Sequence, residues 1–151
     1  VDLHLMALEE LGAEIEITWL PIEPLALSTQ IGYLDSEYGS GGFTGSDGVA
    51  DEPAFSPEWT ARFSGTWTHN FANGSDLMFA AAANYRDSMW LMDAMVSWLS
   101  KDSHWTISGG VKNLTDEVYR VEGQEFRSVG GIQTAYYGNP RTYTVGFDYS
   151  F

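Results

Sequence analysis

The chain has 151 residues, with 21 Asp and Glu against 7 Lys and Arg, and a formal net charge of -14. That balance argues against nucleic-acid binding, which needs a basic face to neutralise phosphates, and the lack of cysteine removes disulfides and thiolate chemistry. The longest apolar run, Leu77 to Ala83, falls far short of the roughly 18 residues of a spanning helix, while aromatic residues reach 15%, a share suited to rings at a water–lipid boundary.

Residues Val1 to Leu11 are weakly patterned and read as a strand end or a loop. From Gly12 to Trp19 the chain alternates, with Ala13, Ile15, Ile17 and Trp19 on one face and Glu14, Glu16 and Thr18 on the other. That period of two predicts a strand. Leu20–Pro24, with two prolines, predicts a turn, and Leu25 to Asp35 predicts a second strand. Ser36 to Glu58 is polar, rich in Gly and Ser, and reads as a long loop.

Trp59 to Asn70 alternates again, Trp59, Ala61, Phe63, Gly65 and Trp67 against Thr60, Arg62, Ser64, Thr66 and Thr68. Asn73-Gly74 is a strong hairpin signal, and Leu77 to Tyr85 returns. Leu91 to Leu99 and Trp105 to Val111 are two further strands around a short polar turn. A long loop, about Asn113 to Asn139, leads into Pro140–Phe151. There Tyr143, Val145, Phe147, Tyr149 and Phe151 oppose Thr142, Thr144, Gly146, Asp148 and Ser150.

The pattern predicts an all-β chain of about seven antiparallel strands, each long enough to cross a bilayer when tilted. A soluble protein rarely exposes so aromatic an edge as the last strand. A transmembrane β-barrel closes its edges and turns the aromatic face to lipid. Short turns near Pro21, Asn73 and Asp102 are expected on the periplasmic side, and long loops around Gly45 and Gly130 outside. Trp19, Trp67, Trp98 and Trp105 then fall in one aromatic girdle and Trp59 in the other, with Ala, Gly and Val between. The connection between Arg86 and Leu91 is too short for an outer loop, which suggests that residues are missing there. An odd strand count and a start at Val1, with neither initiator Met nor signal peptide, suggest a carboxyl-terminal piece of a larger barrel.

Several segments resemble the TonB-dependent outer-membrane receptors. They are G-A-E-I-E-I at Gly12–Ile17, L-S-T-Q-I-G-Y-L-D-S-E-Y at Leu27–Tyr38 and P-A-F-S-P-E-W-T at Pro53–Thr60. The most specific combination is N-L-T-D-x-x-Y at Asn113–Tyr119 with G-N-P-R at Gly138–Arg141 and the aromatic terminus. The resemblance implies the last seven or so strands of a barrel of about 22, with a plug and earlier strands that this chain lacks. It implies a bacterial outer-membrane, multi-pass receptor embedded in lipid and lipopolysaccharide, not an enzyme. Such a receptor takes up a scarce nutrient (a siderophore, haem, cobalamin or a glycan) with energy from an inner-membrane TonB-type complex acting through the plug. A smaller outer-membrane barrel serving as adhesin or structural anchor is the alternative, and an outer-membrane hydrolase a more remote one.

The loop from Thr115 to Asn139 offers the best ligand-contact residues: Tyr119, Arg120, Arg127, Gln133, Tyr136 and Tyr137, Arg and Tyr being suited to anionic or aromatic groups. The Ser36–Glu58 loop is acidic with no Lys or Arg, which disfavours an anionic ligand on that side. Tyr143, Phe147, Tyr149 and Phe151 form the terminal strand that, by resemblance, the barrel-assembly machinery reads. No cofactor or metal is expected. His4, His69 and His104 have no metal-ligand spacing, and Asp47, Asp51 and Glu52 miss the calcium-loop pattern. Glu14 and Glu16 share a lumen-facing side without a nucleophile or third partner.

Overall fold

A computed structural model describes residues 8–38, 43–45, 48–50, 56–86, 88–126 and 132–151. Its main feature is one antiparallel sheet of seven long strands, which are consecutive in space as in sequence. They are β1 (Leu8–Ile22), β2 (Leu25–Tyr38), β5 (Trp59–Asn70), β6 (Asp76–Arg86), β7 (Met89–Leu99), β8 (Trp105–Lys112) and β11 (Thr142–Tyr149). Two short hairpins stand apart, β3 (Phe43–Gly45) with β4 (Gly48–Ala50) and β9 (Arg120–Phe126) with β10 (Ile132–Tyr137). The sheet is open, with β1 and β11 at its edges. No described helix is long and apolar enough to cross a membrane, which leaves strands untouched as a means of crossing.

The seven predicted wall strands are all present, and the differences lie in the connections. β1 begins at Leu8, upstream of Gly12. Leu20 and Pro21 belong to β1 instead of a turn: the register shifts between Trp19 and Ile22, and such an irregularity accommodates a proline that cannot donate to the ladder. The turn is Glu23–Pro24 alone. Both long loops contain a hairpin. Near Arg86 the strands β6 and β7 pair as far as Arg86↔Met89, so the residues present there form a tight connection and no outer loop. Ser88 adopts φ 66°, the left-handed backbone that a tight turn between twisted strands needs. Trp90 consequently belongs to β7, packing 5.2 Å from Tyr85 and 6.1 Å from Phe63 between ring centroids.

The Asn73-Gly74 signal makes a five-residue connection. Phe71 O accepts from Gly74 N at 2.9 Å, and Gly74 takes φ 85°, where any side chain would be strained. Asn73 Oδ1 accepts from both the backbone N and the hydroxyl of Ser75.

One cross-strand row shows the sheet's shape: Trp19–Leu27–Gly65–Ala81–Ala94–Val111–Tyr143. It meets β1 three residues from its end at Ile22 and β11 six residues from Tyr149. The strands are thus staggered in one direction, as tilted strands are when a sheet curls towards a barrel.

Burial is inverted relative to a soluble domain. Among the described residues no apolar side chain is buried, and the buried ones are Ser36, Ser75, Ser100 and Asn113. Ser75, Ser100 and Asn113 lie at turns, where they close backbone hydrogen bonds, and Ser36 lies near the end of β2 opposite Glu10. The apolar bulk stands on one face, as on β11, where Tyr143 is 72%, Val145 84% and Phe147 65% exposed. A single sheet with a bare apolar face needs a second layer to cover it.

Candidate functional site

The sheet has two ends. Glu23–Pro24, the turn after Asn70 and the turn after Leu99 lie at the turn end. The β3–β4 and β9–β10 hairpins connect strands at the opposite, loop end. Rings gather at both on the apolar face. At the turn end the ring centroids of Trp67 and Phe79 are 5.7 Å apart, and His69 stacks on Trp67 and meets Phe71 edge-on. Trp105 lies 4.3 Å from Tyr149 and 5.0 Å from Phe147, and Tyr149 meets Phe151 edge-on at 5.4 Å. Trp19 and Trp98 lie at this end as well. At the loop end Tyr33 is 4.8 Å from Trp59. Between the belts the central rows hold Gly65, Ala81, Ala83, Ala94 and Gly109.

The opposite face is polar. Glu16, Gln30, Arg62 and Asn84 stand side by side on four adjacent strands. Gln30 Nε2 donates to Glu16 Oε1 at 3.2 Å, and Arg62 Nη1 donates to Asn84 Oδ1 at 2.8 Å. This row gives Glu16 a neutral amide partner.

The loop-end segment between β8 and β11 holds most of the predicted ligand-contact residues. β9 and β10 pair from Ile132↔Phe126 to Tyr137↔Arg120, with an irregularity between Tyr136 and Tyr137. Arg120 therefore sits opposite Tyr137 at the hairpin's base, and both tyrosines are open, 52% and 62% exposed. Gln133 lies opposite Glu125 in the ladder. Arg127 lies outside the described residues, as do Asp47, Asp51, Glu52 and His4. Among the described residues no group of three His, Cys, Asp or Glu gathers as a metal site.

Tyr119 takes a different place from the others. It is half-buried below the hairpin, its carbonyl accepts from Gly138 N at 2.9 Å, and a Cβ at Gly138 would overlap its ring. Beside it, Asn113 is 5% exposed, with φ 52°. Its Nδ2 donates to Glu117 O at 2.9 Å and to Asn139 O at 3.1 Å, and its Oδ1 accepts from Glu117 N at 2.8 Å. Its backbone N donates to Asp93 Oδ1 at 2.9 Å, and Leu114 N donates to Met92 O, anchoring the segment to β7. Asp116, at φ 58°, accepts Arg141 N at Oδ1, 2.9 Å, and pairs with Arg141 Nη2 at 3.4 Å. Arg141 Nη1 donates to Leu114 O at 3.2 Å. The sequence flagged these residues as a recognisable motif but did not indicate their contacts, since the two halves lie far apart along the chain.

Residues 10–114 match the family described as TonB dependent receptor-like, beta-barrel. The chain belongs to the TonB-dependent receptor β-barrel family. The match spans β2, β5, β6, β7, β8 and nearly all of β1, so it covers the staggered wall whose two faces are described above. No curated protein and no solved structure matches the chain.

Proposed function

We propose that this chain is the carboxyl-terminal barrel sector of an outer-membrane receptor that imports a scarce nutrient, with energy from a TonB-type inner-membrane complex. The family match over residues 10–114 carries this reading. The wall supports it: an apolar face belted by rings at both ends suits a bilayer, and a polar face with the Glu16–Gln30 and Arg62–Asn84 pairs suits a wet lumen. The role is transport, not catalysis.

In this reading the turn end faces the periplasm and the loop end the outside. The β9–β10 hairpin is then the ligand-contact arm, with Arg120, Tyr136 and Tyr137 as its contact residues. Arg supplies a planar fork for carboxylate-like groups and Tyr a flat amphipathic surface. The class of nutrient is open to direct assay. A strain lacking the gene is grown with iron-siderophore, haem, cobalamin or glycan limiting, with and without a plasmid copy, and in a background whose TonB complex is inactive. The proposal predicts that one nutrient fails to support growth without the gene, and that the plasmid rescues only when the complex is active. Full growth on every nutrient, coupled with lost surface adhesion, would instead favour an adhesin.

A further inference from the structure

Two motifs flank the β9–β10 hairpin, and their fixed positions meet one another across it. Asn113 reaches Asn139, Asp116 reaches Arg141, and Tyr119 packs on Gly138. We propose that these residues form a latch at the neck of the hairpin, which holds the arm on the barrel rim as a unit separable from the wall. Asn113, Asp116, Tyr119 and Arg141 are then positioning residues, and the ligand-contact role of the arm they hold rests on the reading above.

The hairpin needs such an anchor. β9 and β10 form a two-stranded sheet apart from the seven-stranded wall, and an isolated pair of strands is marginal in water. The latch supplies order at the neck in three ways. The Asn113 side chain uses both its amide and its carbonyl on backbone groups on either side of the hairpin, so its removal takes three hydrogen bonds from the neck. Asn113 and Asp116 both occupy left-handed backbone, which Asn and Asp tolerate better than other side chains. The Asn113 side chain bonds to the turn it makes, through Glu117 N and O, while the Asp116 carboxylate reaches across the neck to Arg141. Gly138 leaves the space into which the Tyr119 ring closes.

The Asp116–Arg141 pair is roughly half exposed on both partners, so its Coulomb attraction is heavily screened. Its weight lies in geometry. Arg141 ties Leu114 O and Asp116 Oδ2 with two nitrogens while its own backbone N reaches Asp116 Oδ1, which spans the neck in a way that a lysine point charge does not.

The test is hydrogen–deuterium exchange on the intact protein in membranes, comparing wild type with Arg141→Lys and Gly138→Ala. The first variant keeps the charge and loses the fork; the second displaces the Tyr119 ring without touching a charge. The latch predicts that amides of residues 120–126 and 132–137 exchange roughly tenfold faster in each variant, while β8 and β11 amides keep their protection. Unchanged exchange in the hairpin, or an equal rise in β8 and β11, would overturn it. A separate variant with residues 121–136 replaced by a short turn addresses the ligand-contact reading. Nutrient uptake that survives this replacement removes that reading and leaves the latch standing on the exchange data.

Discussion

At the scale of single residues, the turn after β7 shows how polar side chains close the strand ends. Ser100 is buried, and its hydroxyl both donates to Asp102 Oδ1 and accepts from Trp105 N at 2.9 Å. The Ser100 hydroxyl, and after it the His104 backbone N–H, hold the Asp102 carboxyl down to about 2, below its ordinary value of 3.8. A lowered carboxyl favours the folded turn where it is ionised. Its contribution is therefore full above the ordinary value and is lost as pH falls through the interval down to about 2. Amide exchange at residues 100–105, followed across that interval, is expected to quicken as pH drops, after correction for intrinsic rates. In Asp102→Asn this acid-dependent step should be absent. The same logic of side chains bonding to backbone accounts for both Asn-x-Ser/Thr sequences in the chain. Asn73 caps a turn, and Asn113 is enclosed in the rim latch.

At the scale of elements, alternation made the wall legible. Trp59 to Asn70 and Thr142 to Tyr149 carry such unlike faces that a period of two suffices to place them. Connections were less legible for physical reasons. Leu20-Pro21 looks like a turn because proline breaks a ladder, yet an irregular register lets the strand continue past it. In β9 the sequence R-V-E-G-Q-E-F offers Val121 and a glycine where a buried face would show bulk. Its pairing is set by the neck below it, joining Asn113 to Asn139 and Asp116 to Arg141, contacts with no local signature. Faces can be tested on β6, where Ala81 and Ala82 are neighbours on opposite sides. Ala81→Arg on the apolar face is expected to cost about 2–4 kcal/mol of folding stability in lipid. Ala82→Arg, on the polar face near Ser64 and Asp93, is expected to cost much less. Urea titration of both variants refolded into vesicles measures the difference, and equal costs would contradict the assignment.

At the scale of the whole molecule, the distribution of side chains is the inverse of a soluble domain, with polar groups buried at the ends and apolar groups bare along the wall. The stagger from Trp19 to Tyr143 tilts that wall in one sense, and its ring belts stand at the two ends of the strands. The terminal aromatics close the turn-end belt, where Phe151 meets Tyr149 and Ser150 N donates to His104 O at 2.9 Å. Truncation of Phe151, or Phe151→Ala, is expected to lower the amount of heat-modifiable, folded barrel in outer-membrane fractions, as seen by gel shift. An unchanged amount would mean that the last ring contributes nothing to assembly. In a barrel wall of this kind one face of the sheet meets lipid and the other meets water. Nitroxide labels placed singly from Leu77 to Tyr85 in the intact membrane-embedded protein test it most directly. An accessibility period of two is expected: dissolved oxygen reaches positions 77, 79, 81, 83 and 85, and a water-soluble nickel complex reaches 78, 80, 82 and 84. Accessibility without alternation, or with water at the Phe79 and Ala81 positions, would contradict it.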